Sequence, residues 1–369
     1  MKQTLIRILF EDWFTNEVRD GVRYVGIGYL LIPWILFGIY ELIAGRRKGL
    51  SWKELSGEIV SWGGIAVALF CLPLVAAKLP AQSLPVFGWG FMLVLGFIVA
   101  TKILAHRAQP LGIPKALIWD FCTYMLVAGI VGARLFYVIQ YRERIFGNKT
   151  GVEWIKAAVN FSDGGMVYYG GVILGILVAV RFARQRKLSL LLLADIVIPG
   201  VFIGLGFGRI GCLLNGCCYG DFCSLPWAIQ FPPGSPPFET LVNRGFLDEV
   251  ATASLPLHPT QIYSSINAFI LAGLTMVWFR YRKHDGEIIV LALLTYPVTR
   301  FVLELLRNDE PGQFATNFTI SQWVSMGLFV SGWVMLFYFK KHPRPLTPLP
   351  LKLEPPATSA KKMTAARSA

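Results

Sequence analysis

Apolar runs of about 20 residues, the length a helix needs to cross bilayer hydrocarbon, recur along this chain between short polar or basic segments. Nine can be marked, at about 24–44, 58–78, 86–104, 115–139, 166–183, 189–214, 261–281, 287–306 and 318–339. They predict an all-α polytopic membrane protein. The first 23 residues do not read as a signal peptide. They hold Glu11, Asp12, Glu17 and Asp20 and lack a small-residue cleavage site. The stretch Ile-Arg-Ile-Leu-Phe-Glu-Asp-Trp-Phe better suits an amphipathic segment lying on the membrane surface.

Composition agrees with the pattern: 54% of the 369 residues are hydrophobic and only 15% charged. The net charge of +13 raises the question of nucleic acid, and its distribution answers it. With the N-terminus outside, about twice as many Lys and Arg fall in inside loops and the tail as in outside segments. Arg46, Arg47, Lys48 and Lys53 form one inside group, and Arg181, Arg184, Arg186 and Lys187 another. The positive-inside rule then gives N-out and C-in, and the basic excess reports topology, with no nucleic-acid partner implied.

Three divisions follow: an N-terminal extension with two spans (1–80), a seven-span core (81–340) and a tail (341–369). The tail is rich in Pro, Lys, Ala, Ser and Thr and reads as a disordered cytoplasmic extension. The segment 215–260 contains Pro232, Pro233, Pro236 and Pro237 and suits a small extracytoplasmic cap. No internal repeat is visible.

Charged residues inside apolar runs narrow the search for function. Arg209 sits in Gly-Leu-Gly-Phe-Gly-Arg209-Ile-Gly, where burial in hydrocarbon costs roughly 2.5–3.5 kcal/mol unless an anion meets it. Gly204, Gly206, Gly208 and Gly211 leave room for a ligand or a second backbone. At 1.5 Å per residue, Arg134 and Arg209 each lie roughly 8 Å below the outer ends of their spans. Trp89 begins the third span on the same side. Asp163, Gly164, Gly165, Tyr168, Tyr169, Gly170 and Gly171 straddle the entrance of the fifth, and His258, Gln261 and Tyr263 that of the seventh. Arg300, Glu304 and Arg307 share one face of the eighth through spacings of four and three.

Plainer roles compete. Arg300 and Glu304 suit a structural ion pair, Arg134 could pair or snorkel, and Arg307 could join a loop ion pair with Asn308-Asp309-Glu310. Asp120 and Asp195, toward inner ends, suit interfacial or capping positions.

Cys212, Cys217, Cys218 and Cys223 fall within twelve residues, in the pattern C-x4-C-C-x4-C. This is not a regular zinc spacing. An outer compartment permits a disulfide, with Cys212 or Cys223 as the mate of Cys217 or Cys218. Lining a site without chemistry is the next reading, and metal or redox the least favoured. Of four histidines only His258 falls outside. No metal and no cofactor is expected.

Together these stretches resemble the prolipoprotein diacylglyceryl transferases, integral membrane enzymes of bacterial lipoprotein maturation. The similarity covers roughly 84–340. It rests on Phe-Gly-Trp89-Gly, Gly-Ala-Arg134-Leu-Phe-Tyr, Asp163-Gly-Gly-Met-Val-Tyr-Tyr169-Gly170-Gly, Gly208-Arg209-Ile-Gly211, His258-Pro-Thr-Gln261-Ile-Tyr263 and Glu304-Leu-Leu-Arg307-Asn-Asp. Each is short, but six in family order are specific.

The resemblance implies transfer of an sn-1,2-diacylglyceryl group from phosphatidylglycerol to the thiol of a lipobox cysteine, with release of glycerol 1-phosphate. It also implies a bacterial plasma (inner) membrane location, with the active site facing the extracytoplasmic side. Catalytic positions would be Arg209, Arg307, Tyr169 and Glu304. Substrate contacts would come from Arg209, Arg134, Trp89, Gly170, Gly208, Gly211, Gly220, His258, Gln261 and Tyr263.

The chain departs from the better-known pattern at Tyr169, where many members carry histidine, and at Cys212 and Cys217, where they carry asparagine and glutamate. The Cys217-Cys218-Tyr219-Gly220 form resembles a variant branch. Tyr169, with an ordinary pKa of about 10, would need a nearby arginine to serve as base, and Glu304 and His258 are alternatives. Two other functions fit the same residues: a carrier or flippase for anionic lipid, and a catalytically inactive lipid- or lipoprotein-binding member.

Overall fold

The computed structural model describes residues 4–47 apart from 11, 20 and 21, five positions between 66 and 73, and residues 83–147, 152–159, 165–307, 313, 315–342 and 346–347. The chain divides into two compact units, 1–94 with 208–262 and 95–207 with 263–369.

The first unit opens with strands where a surface-lying amphipathic segment is expected. Thr4–Leu9 (β1), Asn16–Arg19 (β2), Val22–Gly26 (β3) and Ser83–Phe87 (β4) form a sheet in the order β2-β3-β1-β4. β1 runs parallel to β3 and antiparallel to β4, and Ile6 pairs with both Arg23 and Val86. β-branched Thr4, Ile6 and Ile8 favour this conformation. The partner β4 lies some eighty residues further on, so local pattern could not reveal the pairing. Pro85 is tolerated because β4 is an edge strand. The all-α expectation is therefore corrected to a mostly helical chain with one small sheet.

Helix α1 (Gly28–Arg47) occupies the first apolar run and ends on Arg46 and Arg47. The second run lies almost entirely outside the described residues. So does most of the tail, whose described Thr347 donates its backbone N–H to Asp285 at 3.2 Å.

In the order of the chain, the remaining helices are α2 (Gly88–Ala108), α3 (Lys115–Gln140), α4 (Arg142–Phe146), α5 (Val152–Val159), α6 (Tyr168–Gln185), α7 (Leu190–Asn215), α8 (Pro236–Asn243), α9 (Thr260–Trp278), α10 (Glu287–Glu304) and α11 (Ile320–Lys341). Among the described residues, five helices are long and apolar enough to cross a membrane: α2 with the turn after it, α3, α7, α9 and α11. The runs at 166–183 and 287–306 are helical too. They form α6, with Arg181 and Arg184, and α10, with Glu287, Arg300 and Glu304. Outward-facing Leu126, Val127, Ile130 and Val131 on α3 give that helix a lipid-compatible surface.

In the second unit α7 is the common packing partner. Phe202 and Ile203 meet Ala100, Leu271, Ala272 and Ala292, from α2, α9 and α10. Leu192 and Ile196 pack with Leu104, Ile113 and Ile118. Helices α3 and α6 approach through glycines: a methyl at Gly132 or Gly170 would collide with the other's carbonyl oxygen, and one at Gly171 would sit 2.8 Å from the Gly129 oxygen. Such small-residue seams are how membrane helices bring their backbones together.

Asp195 holds the start of α10. Its carboxylate accepts backbone N–H bonds from Gly286 (2.7 Å), Ile288 (3.0 Å) and Ile289 (3.1 Å), satisfying donors that a helix start leaves open. This is the capping role the sequence favours for Asp195.

The segment 215–260 folds around Phe231, Leu241 and Leu257. Ser254 accepts the Phe231 N–H at 2.8 Å, and Leu257 bridges to Phe222 and Ile229.

Candidate active site

In the first unit, the motif residues gather around the C-terminal turns of α7. Arg209 is half-buried there. Among the described residues no hydrogen bond or ion pair meets its guanidinium. Gly211 lets α2 come close, since a Cβ would lie 3.1 Å from the Trp89 ring and 3.3 Å from Met92. Gly208 faces Leu93 at ordinary distance, 3.7 Å from a built Cβ. Arg209 thus projects from a helix turn flanked by bare backbone, with the indole of Trp89 on Gly211.

Beyond α7 the chain reverses through Gly216 (φ 75°) and Cys218 (φ 60°). Residues at the start of α9 clamp this turn. Thr260 Oγ1 donates to the Cys218 carbonyl at 2.7 Å, and Gln261 Nε2 donates to the Cys217 carbonyl at 2.9 Å. Both side chains are buried. Gly220 N–H donates to the His258 carbonyl at 2.9 Å, and His258 N–H to the Asp221 carbonyl at 2.9 Å. The residues expected at the His258-Pro-Thr-Gln261 and Cys-Cys-Tyr-Gly220 motifs are therefore knitted to each other through main chain and amide.

In the second unit the spacing of Arg300, Glu304 and Arg307 produces the expected shared face. Glu304, whose side chain is 1% exposed, pairs with Arg300 and lies 3.8 Å from Arg307 Nη1. Thr319 Oγ1 donates to its other oxygen at 3.0 Å, and Arg300 also donates to Ser321 at 3.0 Å. Two guanidiniums thus flank one buried carboxylate. Glu304 accepts from Arg300 and Thr319 and faces Arg307, an arrangement that suits a carboxylate orienting the two arginines. Arg307 itself lies just past the end of α10 and is 7% exposed.

Arg134 is buried, and its guanidinium donates to the carbonyls of Ala158 (2.8 Å), Ala157 (3.0 Å) and Gly165 (3.0 Å). It caps the last carbonyls of α5 and joins them to the segment entering α6. Tyr137 stacks beneath it at 5.3 Å. Tyr169 opens α6 with 47% exposure, its ring edge-on to Tyr168 at 6.0 Å. Among the described residues no hydrogen bond reaches its hydroxyl. Gly170 sits on the α3–α6 seam against Gly132, and Tyr263 lies on the first turn of α9, half-buried. Asp163, Gly164 and Asn308-Asp309-Glu310 fall outside the described residues.

Sequence reasoning missed Thr319 and Ser321. A signal existed for the first: Thr319-x-x-Gln322 before an apolar run is a capping box, and both its bonds are made. Cys212, Cys217 and Cys218 were marked by their spacing in the sequence, and a turn with two positive-φ residues brings their sulfurs within 4.8 Å of one another.

The family model described as Prolipoprotein diacylglyceryl transferase matches residues 74–338. The chain belongs to the prolipoprotein diacylglyceryl transferase family. A Clostridium perfringens relative named phosphatidylglycerol–prolipoprotein diacylglyceryl transferase 2 is 33% identical, over 70% of this chain and 93% of its own. A Clostridium tetani relative with the corresponding name is 32% identical, over 68% and 92%. One from Rhodopirellula baltica is 26% identical but extends over 86% of each chain. The diacylglyceryl transferase match takes in every site residue described above.

Proposed function

We propose that this chain transfers the sn-1,2-diacylglyceryl group of phosphatidylglycerol to the lipobox cysteine thiol of prolipoproteins. The observation that carries the reading is Arg209: a half-buried cation in a glycine-lined helix turn, with no anionic partner among the described residues, in a chain of this family. In the reaction the thiol sulfur forms a bond to the glyceryl carbon, and the carbon–oxygen bond to phosphate breaks. The electron pair leaves with glycerol 1-phosphate, and the thiol proton is released. Negative charge therefore grows on the departing phosphate. A guanidinium fork in a poorly hydrated site stabilises that state more than the intact lipid.

Arg209 takes this role, and Arg307 is the second cation, oriented by Glu304. Arg134 acts through the backbone it ties together. Tyr169, half-exposed at the start of α6, serves as a hydrogen-bond donor to a phosphate oxygen. Trp89, Gly208 and Gly211 shape the turn that the headgroup approaches. His258, Gln261 and Gly220 fix the segment after α7. In the cell the reading corresponds to the bacterial plasma membrane, with the lipid entering from the extracytoplasmic leaflet and the C-terminus in the cytoplasm.

The test is an in vitro assay with phosphatidylglycerol and a lipobox peptide. Arg209→Ala is expected to lose at least 100-fold in rate, the scale of removing one donor from a developing anion, while still inserting in membranes. Unchanged labelling by that variant would sink the assignment.

A further inference from the structure

The sulfurs of Cys212, Cys217 and Cys218 lie within 4.8 Å of one another, all half-buried. No disulfide is formed among the described residues. The turn that gathers them is not a relaxed one. Cys218 adopts φ 60°, a left-handed conformation that costs a residue with a Cβ about 1–2 kcal/mol. That conformation is held from several directions: Cys217 N–H bonds to the Cys212 carbonyl at 3.1 Å, and Thr260 and Gln261 pin the next two carbonyls. Strain kept in place by surrounding bonds commonly marks a functional turn.

A second observation comes from Gln261. Its amide nitrogen is fixed on the Cys217 carbonyl, which keeps the oxygen of the same amide beside this turn. That oxygen is buried and accepts no hydrogen bond among the described residues. A buried acceptor left open normally has a partner not yet counted.

We propose that Cys212, Cys217 and Cys218 form a binding site for a soft closed-shell metal ion, Zn2+ or Cu+. Thiolate sulfur selects such ions over hard ones. With metal–sulfur bonds of about 2.3 Å, three sulfurs around one ion lie roughly 4 Å apart, within small rotamer adjustments of what is seen. The cluster holds three sulfurs, one more than a disulfide uses, and adjacent Cys217 and Cys218 are poor mates for each other. A water on the ion would supply the donor that Gln261 Oε1 lacks. The site lies at the end of α7, one helical turn beyond Arg209, so the bound ion locks the turn that follows the proposed phosphate-binding cation. This inference concerns ion binding and does not depend on the transferase reading. Cys223 lies outside the group and serves as an internal control.

The experiment uses the full-length protein, purified in detergent under anaerobic reducing conditions and stripped by chelation. It is reloaded with Zn2+ in one arm and Cu+ in the other, then desalted. Elemental analysis is expected to find one ion per chain in at least one arm, which identifies the ion. Alkylation read by mass spectrometry should show Cys212, Cys217 and Cys218 protected at least tenfold by that ion, with Cys223 unaffected. This readout needs no variant. The double variant Cys212→Ser/Cys218→Ser should retain no ion. The proposal is overturned if neither ion survives desalting, if protection is equal at Cys223, or if the double variant still binds. It is also overturned if protein isolated without reductant carries two of the three as a disulfide that excludes the ion.

Discussion

At the scale of single residues, the three intramembrane arginines of the sequence separate by what they touch. Arg134 spends its donors on three backbone carbonyls, and Arg300 is engaged by Glu304 and Ser321. Arg209 meets no such group among the described residues. The sequence already distinguished it, since glycines flank it and no acid lies within a helical turn.

The same logic makes Glu304 testable. Glu304→Ala would leave two guanidiniums facing each other without their carboxylate, a loss expected to cost about 3–5 kcal/mol of stability. Glu304→Gln keeps the shape and part of the hydrogen bonding, so thermal unfolding in detergent should show a much smaller drop than for alanine. If Glu304 were the base, Glu304→Gln would abolish turnover while leaving lipid binding intact. The positioning role predicts weakened binding of phosphatidylglycerol along with reduced turnover, measured separately by equilibrium binding and by product formation. The base is the part of the site that was not legible. Replacement of the family's usual histidine by Tyr169 removes the ordinary signal.

At the scale of elements, the apolar runs marked most helices within a few residues, because span length and hydrophobicity are local properties. The sheet was not legible, because β1 finds β4 across some eighty residues and β4 is only five residues long. Two devices within the second unit carry predictions. Asp195→Ala strips three backbone donors at the start of α10 of their acceptor. About 1–3 kcal/mol of destabilisation is expected for each group left buried and unsatisfied, with faster hydrogen exchange at Gly286, Ile288 and Ile289 as the local readout. Gly170→Leu would force α3 and α6 apart and should prevent accumulation of folded protein, whereas Gly204→Ala, where a Cβ meets nothing within 4 Å, should be tolerated. Expression with fluorescence-detected size exclusion separates the two outcomes.

At the scale of the whole molecule, the charge distribution makes a statement about orientation that the contacts alone do not. The positive-inside rule, applied to where Lys and Arg fall along the chain, is the ground for proposing N-out and C-in. A protease-sensitive tag fused after Ala369 should be cut in inverted vesicles and resist cutting in intact spheroplasts. Cleavage from the outside would reverse the topology, and with it the leaflet from which the lipid is drawn.

The glycine seam between α3 and α6 has a mechanical corollary. Fluid hydrocarbon tails can slip sideways between helices whose contact is a layer of bulky, rotatable side chains. They cannot pass where a carbonyl oxygen rests directly on the facing α-carbon, as at Gly132 and Gly170. That pair of helices is a welded wall, and a two-tailed lipid must find its doorway along some other edge of the protein.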